Sequence, residues 1–369
     1  MRIMIVLGAR PQFIKSAPVI HELLGEDCVE LQLVHSGQHY DYELSLLFFE
    51  ELELPPPLLD LRVGSGSHAV QTGKAMMRLE RCMLASKPDV VVVPGDTNTT
   101  LAAALAAAKL NLPLAHIEAG ARSFDMSMPE EVNRRVTDHV SRLLFAPTET
   151  AARNLRSEGL PSGNVHLTGD TMVDALRRSL PTALERRDTL LSKFNLEERN
   201  YIMVTAHRPG NVDDPDNLKS IVEALTEASG SIKILFLVHP RTMRRLRSLQ
   251  LLRRLKRCPR IRLTRPLGYL EFTALFDAAA AVLTDSGGVQ KEAYLLGVPC
   301  ITMRHVTEWP ETLLDGANVL VGSDKAEILK ALSHAVEREA AKTRRLYSIN
   351  PFGDGEASKR IVETLLEAT

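Results

Sequence analysis

The chain of 369 residues is long enough for two domains of ordinary size, each with its own hydrophobic core. Its 44% apolar and 25% charged residues are typical of a soluble globular protein, and the formal net charge of −1 gives no electrostatic reason to expect nucleic-acid or membrane binding. The four cysteines are scattered without a CxxC pair or metal spacing, so we expect no disulfide framework and a reducing compartment.

Neither apolar segment that resembles a targeting or membrane sequence is predicted to act as one. The first run, Ile3–Leu7, is too short for a signal peptide, and the Ala-rich stretch 101–117 is interrupted by Lys109, Asn111 and Pro113. We therefore expect a cytoplasmic protein.

Short apolar runs, rich in β-branched residues, alternate with helical patterns along the whole chain. The predicted strands of the first half are Ile3–Leu7, Val29–Val34, Val90–Val93, Pro113–Ile117 and Val165–Leu167, and helical patterns occupy 14–24, 67–86, 99–109 and 129–142. Beyond residue 200 the predicted strands are Tyr201–Thr205, Ile232–Val238, Ile261–Leu263, Ala281–Leu283, Cys300–Met303 and Val319–Val321. Continuous apolar strands that alternate with helices predict an α/β fold with two doubly wound parallel-sheet domains.

The expected domain boundaries follow from the same rhythm. Residues 181–199 carry many charges and no strand pattern, so they connect or flank the two halves. We expect an N-terminal domain over 1–168 and a C-terminal domain over 169–352. The last helix, within 353–369, follows a turn-rich segment and is expected to fold back onto the N-terminal domain.

Ligands of open α/β sheets gather outside the carboxyl ends of the strands, so the polar residues that follow each strand are the candidates for function. Arg10 and Lys15 flank the start of the helix after the first strand, where two cations and free amides can neutralise a diphosphate. The alternative is that both are solvated charges in a first helical turn.

Carboxylates follow the next strand ends of the first half. Asp96 comes after Val90–Val93, where capping of the following helix is an equally good explanation. Glu118 is followed by Ala-Gly rather than by a cap, which is harder to explain structurally, and Glu130 or Glu131 opens a helix behind Pro129. Several carboxylates in one place raise one another's pKa, so this set predicts acid and base catalysis.

The second half carries histidines and a glycine-rich turn at its strand ends. His207 is a candidate for proton transfer or phosphate contact, and His239 is a weaker candidate. Ser286-Gly287-Gly288 opens a helix whose free amides and partial positive charge suit a phosphate, and Glu292 suits a sugar diol; a plain corner capped by Ser286 is the alternative. We find no metal-ligand spacing and no motif of a covalent nucleophile.

Ten motifs then join into one resemblance. They are GARPQFIK, PGDTNTTLAAALAA, AHIEAGARSFD, MPEEVNR, LFAPTE, TAHRPGN, VHPR, TDSGGVQKEAYLLGVPC, TEWPET and NPFGDGEAS. Their order along the chain closely resembles the UDP-N-acetylglucosamine 2-epimerase family, of the non-hydrolysing type and with a GT-B-type fold.

The resemblance implies specific roles. UDP would be held by Arg10, Lys15, His207, Ser286, Gly287, Gly288 and Glu292, and the positions that match the catalytic residues are Asp96, Glu118, Glu130 and His207. It implies no metal and no cofactor, a UDP-amino sugar as substrate, a homodimer, and a role in cell-envelope polysaccharide biosynthesis. The implied reaction eliminates UDP to give 2-acetamidoglucal and adds UDP back with a proton on the other face of C2, so that UDP-GlcNAc and UDP-ManNAc interconvert without NAD.

Three departures from the family pattern bear on the sugar. Trp309 replaces the arginine of an Arg-Pro-Glu motif, Pro209-Gly210 replaces Arg-Glu after His207-Arg208, and Lys291 stands where glutamate is common. They resemble branches that use a modified UDP-amino sugar, such as a diacetamido uronic acid or an N-acetylated 6-deoxy sugar. The residues of the corresponding segment that we expect to set sugar specificity are Arg304, Thr307, Glu308 and Trp309.

Three other functions remain open at this point. A hydrolysing 2-epimerase would use the same residues but release UDP and free N-acetylmannosamine. A GT-B glycosyltransferase shares the fold and the UDP loop, and would add an acceptor site. A non-catalytic UDP-sugar sensor would bind without turnover.

Overall fold

The computed structural model of the protein describes residues 1–37, 42–340 and 350–368. The chain divides into two compact units: unit 1 comprises Met1–Arg178 with Asn350–Thr369, and unit 2 comprises Ser179–Ile349. The expected boundary after residue 168 falls shortly before the helix Thr171–Glu185, in which the two units divide.

Each unit is built on one parallel sheet. The strands are β1 Arg2–Leu7, β2 Glu30–His35, β3 Leu59–Asp60, β4 Val90–Pro94, β5 Leu114–Ile117, β6 Leu143–Ala146, β7 Val165–Leu167, β8 Tyr201–Ala206, β9 Lys233–Val238, β10 Ile261–Thr264, β11 Ala281–Thr284, β12 Cys300–Thr302 and β13 Asn318–Leu320. The sheet of unit 1 has the order β3-β2-β1-β4-β5-β6-β7, and the sheet of unit 2 has the order β10-β9-β8-β11-β12-β13. The prediction of two doubly wound parallel-sheet domains is confirmed.

Helices lie between the strands and cover the sheets. They are α1 Arg10–Leu24, α2 Tyr42–Glu51, α3 His68–Ser86, α4 Asn98–Lys109, α5 Pro129–Val140, α6 Glu149–Ser157, α7 Thr171–Glu185, α8 Arg187–Phe194, α9 Pro209–Val212, α10 Pro215–Ala228, α11 Pro240–Ser248, α12 Leu252–Lys256, α13 Tyr269–Asp277, α14 Gly287–Leu296, α15 Lys325–Ala340 and α16 Ala357–Glu367. Short 3₁₀ helices span Ser162–Asn164 and Pro310–Gly316. Helix α16 packs against α1, so the expected return of the last helix to the N-terminal domain is confirmed.

The central strands are buried on both faces, as the continuous apolar runs require. Residues Ile3 to Leu7 of β1 and Val91 to Val93 of β4 have no exposed surface, and the same holds for most of β8 and β11. Because both faces of these strands are covered by helices, their side chains form the core of each unit.

Strand order reverses once in each sheet, between β1 and β4 in unit 1 and between β8 and β11 in unit 2. Chain connections leave these neighbouring strand ends in opposite directions, which opens a crevice where ligands of doubly wound sheets bind. The residues that follow β1, β4, β8 and β11 are therefore placed where function is expected. None of the helices in the described ranges is both long enough and apolar enough to cross a membrane.

Candidate active site

The first switch point, in unit 1, is held together by Gln12. Its side-chain oxygen accepts hydrogen bonds from the amides of Gly8 and Ala9, at 2.8 and 3.0 Å, and its Nε2 donates to the carbonyl of Pro94 at 2.9 Å. Gln12 thereby ties the end of β1 to the end of β4. Arg10 begins α1 here, and its guanidinium lies 4.9 Å from the centre of the Phe48 ring.

Lys15 and Glu118 form a buried ion pair beside this switch point. Their side chains are only 10% and 7% exposed, and Lys15 Nζ donates to Glu118 Oε2. Lys15 is therefore not a solvated first-turn charge. In such surroundings each charge is stabilised chiefly by the other, because little water is available to solvate it.

The backbone of Glu118 is strained. Its φ of +72° lies in the left-handed region, which a non-glycine residue occupies at a cost of about 1–3 kcal/mol. The strained conformation follows directly on β5 and places the carboxylate against Lys15. Strain at a charged residue on a strand end is a frequent mark of a functional site.

Asp96 does not cap the helix that follows it. The N-cap of α4 is Thr97, whose side chain accepts the amide of Thr100, so capping as the explanation for Asp96 is wrong. Asp96 Oδ2 instead accepts from Arg134 Nη1 at 2.6 Å, and Asn133 Nδ2 donates to the Asp96 carbonyl at 2.9 Å.

The pKa of Asp96 is raised. Burial is the largest cause, and the negative charges of Glu130 and Glu118 add to it, while Arg134 and Lys15 oppose the rise. A raised pKa favours the protonated form of the carboxyl group, which is the form that acid catalysis requires.

The structure distinguishes Glu130 from Glu131. Glu131 is fully buried and accepts from the amide and hydroxyl of Ser123 and from Arg134. Burial favours the neutral form of Glu131, but the hydrogen bonds from Ser123 and Arg134 outweigh it and lower the pKa. Glu131 is thus a structural acid, whereas Glu130 is only partly buried and its charge acts on Asp96.

The second switch point, in unit 2, pairs His207 with Asp285. Asp285 has no exposed surface, and its carboxylate accepts from the backbone amides of His207 and Arg208, from Asn211 Nδ2 and from His207 Nδ1, at 2.9 to 3.1 Å. The His207 side chain is 39% exposed, so its other ring nitrogen is accessible.

The sequence reasoning did not select Asp285. The available signal was its position, directly after a strand that neighbours the one before His207. Burial alone would raise the pKa of Asp285, but the charge of His207 and the hydrogen bonds from His207 and Arg208 lower it to about 2. His239, the weaker candidate, accepts the Arg241 amide as the N-cap of α11, which is the bland explanation for a histidine at a strand end.

The start of α14 differs at its two glycines. A Cβ on Gly287 would overlap the carboxylate of Glu308, so the Glu308 side chain would have to move to admit a larger residue here. At Gly288 a Cβ would meet no atom of the described residues within 4 Å, which leaves the backbone open to approach. Ser286 occupies the N-cap position but makes no side-chain capping bond, so the plain capped corner is not what the structure shows.

The segment expected to set sugar specificity packs on α14. Thr307 donates to Gln290 at 2.6 Å, Arg304 pairs with Glu308 at 2.8 Å, and the ammonium of Lys291 lies 4.0 Å from the centre of the Trp309 ring. Trp309 is 3% exposed, so its ring contributes through packing rather than as an open surface. Glu292 is also buried, in the second turn of α14.

Each unit therefore gathers its own part of the predicted site. Unit 1 brings Lys15, Asp96 and Glu118 together with Glu130 nearby, and unit 2 brings His207 to the end of β8 beside the start of α14. Among the described residues there is no group of three or more His, Cys, Asp or Glu arranged to hold a metal ion.

A family model described as UDP-N-acetylglucosamine 2-epimerase matches residues 21–366 of the chain. The chain belongs to the UDP-N-acetylglucosamine 2-epimerase family. It is 45% identical over 369 residues to the UDP-N-acetylglucosamine 2-epimerase of Methanocaldococcus jannaschii, with 99% of each sequence covered. It is 42% identical over 373 residues to the UDP-2,3-diacetamido-2,3-dideoxy-D-glucuronate 2-epimerase of Pseudomonas aeruginosa, again with 99% of each covered.

The same family appears among solved structures. The crystal structure of the M. jannaschii UDP-GlcNAc 2-epimerase in complex with UDP-GlcNAc and UDP matches with a TM-score of 0.93 at 45% identity, over 100% of both chains. These similarities establish the epimerase family, and with it an isomerase, as the class of this protein.

Proposed function

We propose that the protein is a non-hydrolysing UDP-N-acetylglucosamine 2-epimerase, which interconverts UDP-GlcNAc and UDP-ManNAc. The observation that carries the proposal is the set of carboxylates at the switch point of unit 1, Asp96 and the strained Glu118 with Glu130 nearby, in a chain that the family model matches from residue 21 to 366. The relatives named above are epimerases, which favours this function over a glycosyltransferase.

The chemistry explains the need for several carboxylates. The C2 proton of a UDP-sugar has no neighbouring carbonyl, so its direct removal and return are not feasible. When the C1–O bond to UDP breaks, positive charge at C1 acidifies C2–H, and a base takes the proton to leave 2-acetamidoglucal and UDP. In the reverse step a UDP oxygen attacks C1 and an acid delivers a proton to the opposite face of C2.

In unit 1 the two forms of a carboxyl group that this cycle needs are both supported. The ammonium of Lys15 stabilises the charged form of Glu118, which suits a base. The raised pKa of Asp96 suits an acid. We assign Asp96, Glu118 and Glu130 collectively to proton transfer at C2.

In unit 2 the open start of α14 suits the departing diphosphate. The amides at Gly287 and Gly288 are among the first of the helix, where unpaired N–H groups and the helix dipole favour a negative charge. Arg10 and Lys15 are further candidate partners for the diphosphate, and Glu292 for the ribose. Asp285 holds the Nδ1 side of His207, so that Nε2 is the nitrogen available to a phosphate oxygen.

Incubation of the protein with UDP-GlcNAc in deuterated water tests the proposal. Proton NMR should show UDP-ManNAc together with deuterium at C2 of both UDP-sugars. Free N-acetylmannosamine without a UDP-sugar epimer would instead indicate the hydrolysing reaction, and absence of C2 exchange in the presence of binding would indicate a sensor or a transferase.

The natural substrate is identified by repeating the same experiment with a panel of UDP-amino sugars. UDP-2,3-diacetamido-2,3-dideoxy-D-glucuronate belongs in it, because the P. aeruginosa relative named for that sugar is 42% identical. A second reason is that Lys291 and Trp309, two of the departures from the family pattern, contact each other. The homodimer and the cytoplasmic location stay predictions, which sedimentation velocity and cell fractionation can check.

A further inference from the structure

Eight basic and acidic side chains alternate in unit 1, and each is paired with the next. In order, they are His116, Asp138, Arg122, Glu158, Arg135, Glu131, Arg134 and Asp96. Each nitrogen–oxygen distance from one member to the next lies between 2.6 and 3.3 Å. We call this set the ion-pair ring.

The ring is closed by a hydrogen bond to the backbone. His116 Nε2 lies 2.7 Å from the carbonyl oxygen of Gly95, which is the residue before Asp96. Gly95 has a φ of +65°, and its amide donates to the carbonyl of Ile117, the residue before Glu118. The first member of the ring, His116, and the last, Asp96, therefore meet at the turn after β4, beside the strand end that carries Glu118.

Both ring nitrogens of His116 face acceptors. The Gly95 carbonyl accepts only, so Nε2 carries a proton, and Nδ1 lies 2.6 Å from Asp138 Oδ1. The other Asp138 oxygen accepts from Arg122 Nη2 at 2.7 Å and from the amide of Gly120, which is the environment of an ionised carboxylate. Burial favours neutral Asp138, but the charges and hydrogen bonds of His116 and Arg122 outweigh it and lower its pKa.

We propose that His116 is a positioning residue, which holds the Gly95–Asp96 turn by its Nε2–H and, through the ion-pair ring, holds the Arg134 that orients the Asp96 carboxylate. The inference rests on the proposed epimerase function, because it assigns His116 a part in orienting the acid and base at C2. His116 has no exposed surface, so it acts only through Gly95 and Asp138.

Burial explains why a ring with two nitrogens is needed at this point. Arg134, Arg122 and Asp138 are each at most 2% exposed, so each depends on its neighbours in the ring for charge compensation and hydrogen bonds. Loss of the imidazole at 116 removes the contact with Asp138 and releases the Gly95 carbonyl. A shift of the reacting group by about 1 Å is enough to slow catalysis about a hundredfold.

The hydrogen bond from His116 Nε2 to Gly95 can be detected without any activity assay. The protein is labelled with ¹⁵N at histidine, and the His116 signals are identified by their loss in His116→Gln. The Nε2 signal should show a one-bond N–H coupling, because this nitrogen carries the proton that it donates to the Gly95 carbonyl. A His116 signal with an unprotonated Nε2 would overturn the proposal.

The positioning role is measured with His116→Gln, whose amide can still donate to Gly95 but carries no charge. We expect kcat to fall about ten- to a hundredfold while the dissociation constant for UDP and the cooperative thermal transition are retained. The matched control is His166→Gln, at a partly buried histidine of β7 outside the ring, which should leave kcat unchanged.

The outcomes are separable. Unchanged kcat in His116→Gln, or an equal loss in the His166 control, would overturn the positioning role. If wild-type protein failed to epimerise any UDP-sugar of the panel, the proposed function would fail, and the NMR measurement would still decide whether His116 Nε2 donates to Gly95.

Discussion

Each unit carries a histidine–aspartate pair that contacts a turn after a switch-point strand, and the two pairs differ in exposure. In unit 1 His116 and Asp138 are wholly enclosed, and both ring nitrogens of the histidine are occupied by the protein. In unit 2 Asp285 is enclosed, but the His207 side chain is 39% exposed. The enclosed histidine suits the positioning of a turn, as proposed for His116, and the exposed one suits the contact with a phosphate proposed for His207.

The contrast extends to the surroundings. In unit 1 the candidate acids are compensated by cations of the protein itself, Lys15 and Arg134. In unit 2 the open start of α14 adds positive potential that suits an anion from outside. These surroundings agree with the proposed proton transfer in unit 1 and the proposed phosphate contact at the start of α14 in unit 2.

The largest effect that this contrast predicts is on turnover. Glu118→Gln keeps the size of the side chain but removes one of the carboxylates proposed for proton transfer at C2, so kcat should fall about a thousandfold while UDP still binds. Steady-state kinetics and isothermal titration with UDP measure the two quantities. Loss of UDP binding in proportion to kcat would break the separation of roles between the units.

The next effect is on stability and distinguishes two adjacent glutamates. Glu131→Gln should lower the free energy of unfolding by about 2–3 kcal/mol, because Arg134 and Ser123 lose a buried charged acceptor. Glu130→Gln, at a partly buried position, should leave the unfolding free energy unchanged and lower kcat. Urea unfolding of both variants provides the comparison, and equal destabilisation would contradict the assignment.

The pH dependence of stability sharpens the description of Asp285. Its pKa is about 2 in the folded protein against an ordinary value of 3.8, so its stabilising contribution is complete above about pH 4 and is lost as the pH falls toward 2. The difference corresponds to about 2 kcal/mol. Asp285→Asn should be less stable than wild type at neutral pH, and the difference between the two should shrink over that acid range.

The smallest predicted effect concerns Gly288. Gly288→Ala meets no described atom, so alanine should raise stability by about 0.5–1 kcal/mol through its helix propensity while the methyl group weakens UDP binding. Gly73→Ala in α3, where a Cβ is equally unobstructed, should give the stability gain without the loss of affinity. Differential scanning calorimetry and titration with UDP test both. An undiminished affinity in Gly288→Ala would remove the start of α14 from the phosphate site.

Much of the fold could be predicted from the sequence because fully buried strands are readable as continuous apolar runs. The exceptions are instructive: β3 is two residues long, and the four residues of β6 follow helix α5 so closely that their run does not stand out. The residues after strand ends were also accessible, because a parallel sheet places them at a common edge.

The contacts between side chains within the site could not be predicted from the sequence in the same way. Sequence spacing does not distinguish two adjacent residues that point in different directions. It therefore could not decide whether Asp96 or Thr97 caps α4, or whether Glu130 or Glu131 faces inward. Two pairs of the ion-pair ring, Glu131 with Arg134 and with Arg135, lie within α5 at helical spacing. The other pairs join residues of different elements, between the end of β4 and the end of α6, and become neighbours only once the sheet has formed. Asp285 belongs to the same class, because its partners at 207 to 211 lie on a different strand end.

The left-handed backbone of Glu118 has a consequence for laboratory evolution. Glycine and asparagine adopt such a conformation more easily than glutamate does, so either residue at this position would relieve strain of about 1–3 kcal/mol. Either change alone would leave Lys15 buried without its partner, at a cost of about 3–5 kcal/mol. A selection for heat resistance that ignored turnover would therefore replace Lys15 and Glu118 together. The more stable but inactive variants would identify a position where the native sequence has lower stability because catalysis requires it.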